Sequence, residues 1–220
     1  MTLTIQPMPP SPQLTPTLAL GTVILAAGRS RRMGKPKLLL PWGPTSVLGH
    51  LLEQWQSLGA KQIAVVVGAS DLVLERELDR LDFANENRIV NEAPERGMFS
   101  SIQCAALWQG WDAQLTHWAV VLGDQPHLRP VTLRTLLEFA ANRPELVCQP
   151  ACDGRHRHPV LLPRAVFGEL SNSKAANLQD FIATCKSAAF ESDDPGLNLD
   201  IDQPEDYQRA LALAAKRPGP

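Results

Sequence analysis

Short unbroken apolar runs alternate along this chain with longer stretches whose apolar residues recur every three or four positions. A strand buried on both faces reads as the first pattern and an amphipathic helix as the second. Residues 22–26 are β-branched and apolar, then break at Gly28 into a basic stretch. From Ser46 the residues Val47, Leu48, Leu51, Leu52, Trp55 and Leu58 keep helical spacing as far as Gly59, with serine as the cap. Residues 63–67 form a second apolar run, and Asp71 opens a helix to Leu81. Residues 88–90 predict a short strand, 100–108 a helix, 117–122 a buried strand, and 130–141 a helix entered through proline. After residues 146–149 the rhythm loosens. A turn at Asp153 and Gly154, a strand near 160–162 and helices around Ala165 and Ala175 read as a small inserted lobe over about 150–190. Residues 198–202 are extended and Pro204 starts a last helix to Ala215. Such alternation predicts an α/β fold with a doubly wound, mostly parallel sheet, whose ligands bind beyond the carboxyl ends of its strands.

Composition excludes several functions. The net charge is −2, so no global positive field favours nucleic acid. The runs 63–67 and 118–122 fall far short of the roughly 20 apolar residues that span a bilayer. Residues 1–18 are rich in proline and lack Lys and Arg, which suits a flexible leader rather than a secretion signal. Cys104, Cys148, Cys152 and Cys185 follow no disulfide framework; reduced thiols in a cytoplasmic protein are expected. Cys148, Cys152, His156 and His158 also lack the two separated ligand pairs of structural zinc.

Two groups of charged residues suggest chemistry. Arg29, Arg31, Arg32, Lys35 and Lys37 crowd a Gly-containing loop directly after the first strand. They repel one another unless solvated or gathered around an anion such as a triphosphate. The spelling fits neither a P-loop, since Pro36 follows Lys35, nor GxGxxG. Asp124 emerges after Gly123 at the end of a buried strand, where a carboxylate can hold Mg²⁺ or start a turn. Asp200 and Asp202 share one side of an extended segment if period two holds, and Asp202 also stands where a helix cap would.

Taken together, LAAGRSRRMGKPK at 25–37, NEAPERGMFSSI at 91–102, LGDQP at 122–126, HPVLL at 158–162 and NLDIDQPEDY at 198–207 resemble the molybdenum cofactor cytidylyltransferase family, in order and in spacing. The resemblance runs from about Gly21 to Ala215. It implies a Rossmann-like nucleotidyltransferase fold over 19–216, with the lobe at 150–190 taking the acceptor. It implies that Arg32 and Lys37 bind a triphosphate beside Asp124, these three forming the catalytic set. Leu25, Ala26, Ala27, Gly28, Gly97 and Ser101 would surround base and ribose. Asp124 and Asp202 would hold Mg²⁺, with Asp200 in reserve, and His158 would contact the acceptor. The AlaAlaGly spelling at 26–28 resembles the cytidylyl branch, which implies CTP. The expected partners are therefore CTP, a molybdopterin-type cofactor and a molybdenum hydroxylase that receives the product.

Two stretches depart from that pattern. Relatives usually place arginine then glycine before the His-Pro pair, where this chain has His156 and Arg157. The common GDKGAR stretch is replaced by residues 172–177, NSKAAN. Both departures fall in the acceptor lobe.

Overall fold

The structure, a computed structural model, describes residues 18–28 and 36–215. The leader through residue 17, most of the basic loop including Arg29, Arg31, Arg32 and Lys35, and the residues after Ala215 lie outside the described residues.

Strands β1 (Leu20–Leu25), β4 (Gln62–Gly68), β5 (Arg88–Asn91), β6 (His117–Leu122), β7 (Val147–Cys152), β8 (Arg155–His156), β9 (Val160–Pro163) and β10 (Ser187–Glu191) form one sheet; β2 (Pro41–Trp42) and β3 (Thr45–Ser46) form a separate ribbon. The sheet order is β10-β7-β9-β6-β1-β4-β5, with β8 on β7. β1 runs parallel to both β4 and β6, while β9 is antiparallel to β6 and β7. The strands of the predicted lobe thus continue the main sheet.

Seven helices are described: α1 (Val47–Ser57), α2 (Leu72–Arg80), α3 (Met98–Leu107), α4 (Pro130–Ala141), α5 (Arg164–Glu169), α6 (Leu178–Ile182) and α7 (Pro204–Ala215). Period-two alternation along each strand sends side chains to both faces. Ile24, Val65, Val67 and Val121 pack with Leu48, Leu51 and Trp55 of α1, Leu78 of α2, Leu136 of α4 and Ala210 of α7. Val23, Val66 and Val120 pack on the other face with Ile102 of α3, Phe167 of α5 and Phe181 of α6. Helices therefore cover both faces, which is why the strands read as unbroken apolar runs. Trp118 stacks on Phe167 at 4.6 Å, with Trp111 edge-on to both, so these rings are packing groups.

Several boundaries differ from the sequence reading. β1 starts at Leu20 and α3 at Met98, because Gly97 rather than a later residue ends the preceding loop. β7 runs through Pro150 to Cys152: the missing proline N–H is tolerated there, and Pro150 O accepts the Arg157 N–H at 2.8 Å. The helix expected around Ala175 begins at Leu178, where the Asn177 side chain accepts the Asp180 N–H. Cys185 follows that helix. Among the described residues no helix is long and apolar enough to cross a membrane.

Candidate active site

The site is built where parallel strands end at a common rim. Leu25 sits opposite Leu122 in the β1–β6 register, so Ala26, Ala27 and Gly28 emerge beside Gly123 and Asp124. Gly123 permits that closeness: a β carbon there would lie 2.8 Å from Leu25 O. β5 leads through the turn Pro94–Arg96 to Gly97, whose φ of 94° suits glycine, and then into α3. Asn91 braces this segment. Its buried amide donates to Ser100 Oγ and Ser101 Oγ, both at 2.9 Å, and accepts the Ala93 N–H at 2.9 Å.

These segments enclose a cleft of about 260 Å³. Leu25, Ala26, Ala27, Gly28, Gly97 and Ser101 line it together with Lys37 and Asp124. Leu38, Pro94, Met98, Leu122 and Gly123 complete the lining and were not singled out from the sequence. The signal was present, since four of these five fall inside the motif stretches 91–102 and 122–126; Leu38 follows Lys37 directly.

Lys37 Nζ lies 2.5 Å from Asp124 Oδ2 and 3.5 Å from Asp202 Oδ1. One ammonium thus joins two carboxylates remote in sequence. The main chain does the same, because Ile201 N–H donates to Asp124 O at 3.2 Å. Asp200 accepts from Gln125 Nε2 at 2.8 Å. Burial, followed by the negative charge of Asp124, pushes the Asp200 carboxyl above its usual range, while the Gln125 hydrogen bond opposes the rise. Asp202 therefore faces Lys37, whereas Asp200 faces Gln125.

Asp124 Oδ1 is buried with no hydrogen-bond partner among the described residues. A carboxylate oxygen left so requires an explanation, and a divalent cation supplies one. Among the described residues no three His, Cys, Asp or Glu side chains are grouped to hold a metal. Mg²⁺ does not demand such a group, since it commonly takes one or two carboxylates and fills its shell with water and substrate phosphate. The donor set fits.

A second cavity of about 450 Å³ adjoins the cleft across Met98, which lines both. His158 lines it, with Nδ1 3.4 Å from Val120 O. Burial lowers the His158 pKa, against the opposing effects of the Val120 carbonyl and the Asp124 charge. Cys148 and Cys152 face the opposite core layer, with the helices α1 and α4. The two thiols and the two histidines are thus on different sides of the sheet.

Residues 22–189 match the family described as MobA-like NTP transferase domain. The molybdenum cofactor cytidylyltransferase of Escherichia coli (strain K12) is 24% identical over 193 residues, covering 86% of this chain and 94% of that protein. Bifunctional protein GlmU of Paracidovorax citrulli (strain AAC00-1) is 32% identical over 121 residues, which is 54% of this chain and 25% of that protein. Among solved structures, Rv0371c from Mycobacterium tuberculosis H37Rv has a TM-score of 0.69 at 28% identity, over 88% of this chain and 98% of its own. A complex of Rv0371c with manganese has a TM-score of 0.64 at 25% identity, again over 88% and 98%. This chain belongs to the MobA-like NTP transferase family and is a nucleotidyltransferase.

Proposed function

We propose that this protein transfers CMP from CTP to the phosphate of a molybdopterin-type cofactor, releases pyrophosphate, and uses Mg²⁺ held by Asp124 and Asp202. The observation that carries the reading is the convergence, on one rim, of the 26–28 main chain, Gly97, Ser101 and the Lys37-bridged carboxylates. The name of the Escherichia coli relative supports the acceptor and the base, and the manganese complex of Rv0371c supports a hard divalent cation.

The chemistry requires no nucleophilic side chain. An acceptor phosphate oxygen forms a bond to the α-phosphorus, the α–β phosphoanhydride bond breaks, and pyrophosphate carries away the electron pair. Repulsion between anions dominates such a barrier, and fixed charges lower it by position. The metal would supply Lewis-acid polarisation of the phosphate oxygens. Lys37 sits next to both carboxylates and places a positive charge where the phosphates would lie. Arg32, outside the described residues, is proposed to hold the triphosphate. His158 and the second cavity are proposed to receive the acceptor, and Met98 marks where the two substrates meet.

A screen of pyrophosphate release tests this reading: four nucleoside triphosphates, each with molybdenum cofactor or sugar phosphates, with and without chelation of divalent cations. Turnover restricted to CTP plus the cofactor, and lost on chelation, is expected. Turnover with another triphosphate or a sugar phosphate would replace the assigned substrates. Binding of the cofactor without turnover would make the protein a carrier.

A further inference from the structure

The second cavity holds polar groups for which transfer at the cleft has no use. β7 and β8 are joined by Asp153 and Gly154, with φ values of 53° and 69°. This tight turn presents His156 and Arg157 at the cavity, and Arg155 at a pocket that adjoins it. The main chain of Arg157 is pinned by its hydrogen bond to Pro150 O. Its Nε is buried and lacks a partner among the described residues. Gln149 on β7 is 4% exposed and lines the same cavity.

A buried polar group left without a partner, the Arg157 Nε, carries an uncompensated desolvation cost that a ligand would remove. The sign of that ligand follows from the lining. Among the described residues no Asp or Glu lines this cavity or the one that adjoins it at His156 and Arg157. Val160, Leu178 and Ile182 supply apolar wall. A guanidinium fork beside an amide, in a lining that holds no acid among the described residues, suits an oxyanion such as a phosphate or carboxylate group. Arg157 lines the second cavity but not the cleft that contains Lys37 and Asp124, and Met98 stands between them.

We propose that Arg157 and Gln149 bind a second anionic group of the acceptor, apart from the phosphate that reacts, and so select acceptors with two separated anionic groups. This rests on the proposed reaction insofar as the cavity is taken to hold the acceptor. Arg157→Met, which keeps most of the aliphatic stem, should raise KM for the molybdopterin-type cofactor about 10- to 100-fold, the loss of one charge-assisted contact. KM for CTP should not change, whereas a merely structural defect would move both. Arg157→Lys should restore part of the loss, since it returns the charge without the fork. Selenate soaked into crystals of the full chain supplies a readout independent of turnover. An anomalous peak within hydrogen-bond reach of Arg157 and Gln149, absent in Arg157→Met, is expected. An unchanged cofactor KM in folded Arg157→Met, or no selenate at that point in the wild type, overturns the proposal. Selenate bound there in a protein that turns over none of the acceptors would instead defeat the proposed reaction and leave the anion point standing.

Discussion

Replacing Gly123 by alanine should damage both stability and catalysis through a single contact. The added β carbon would lie 2.8 Å from Leu25 O and 2.8 Å from Leu38 Cδ2. The leucine methyl can rotate away. The carbonyl cannot, because Leu25 is paired with Val66 on one side and Leu122 on the other. A relaxed carbon–oxygen contact is about 3.3–3.6 Å, so the chain after β6 must shift by roughly 0.5–0.8 Å. Overpacking of this kind costs about 1–3 kcal/mol. For a domain of this size that lowers Tm by roughly 2–12 °C. The shift also displaces Asp124, whose carboxylate touches Lys37 at 2.5 Å. A misplacement approaching 1 Å costs up to about 100-fold in rate, so turnover should fall about 10- to 100-fold. Thermal melting by circular dichroism and pyrophosphate release measure the two effects. Gly168→Ala in α5 is the control, since its added carbon meets nothing within 4 Å, and helical alanine should stabilise by about 0.5–1 kcal/mol. If Gly123→Ala melts with the wild type and turns over at the same rate, the close approach of β1 and β6 does not set the position of Asp124.

Asp124→Asn keeps the shape of the side chain and removes its charge, so pyrophosphate release should drop at least about 100- to 1,000-fold; a wild-type rate would exclude Asp124 from the site. Lys37→Met should slow the same assay by a comparable factor of about 100 or more, and full activity would mean that its bridge to Asp124 and Asp202 is only structural. Burial lowers the pKa of His117, whose Nε2 donates to Pro144 O at 3.0 Å. Below the unfolded-state value of about 6.5 the unfolded chain takes up a proton that the folded chain refuses. Stability should therefore decline as pH falls from 6.5, with a slope of at most about 1.4 kcal/mol per pH unit from this residue. Urea titrations of wild type and His117→Gln between pH 7.5 and 5.5 check this; identical slopes would refute it.

Strands β1, β4 and β6 were legible because both of their faces are buried, and a run such as Ala64–Val67 has no other comfortable environment. The helices α4 and α7 were legible to the residue, since Pro130 and Pro204 mark their starts. β10 was missed: Ser187, Ala188 and Ala189 have weak strand preference, and an edge strand needs little. The antiparallel insertion of β9 between β6 and β7 was also hidden, because pairing between distant segments leaves no local mark. At the site, residue types at strand ends pointed to the cleft lining. What the sequence withheld was partnership: that one lysine would join Asp124 to Asp202, that Gln125 would take Asp200, and that the Arg157 Nε would be buried without a partner in a cavity it shares with Gln149.

The Ile201 N–H to Asp124 O bond has a consequence for how such a protein can diversify. It ties the start and the finish of the long intervening stretch at one point beside the carboxylates. Apart from Met98, the residues that line the second cavity, from Gln149 to Ser187, hang between those tied ends. Insertions and replacements there can refashion the pocket for a new guest while the spacing of the two acids stays as the main chain sets it.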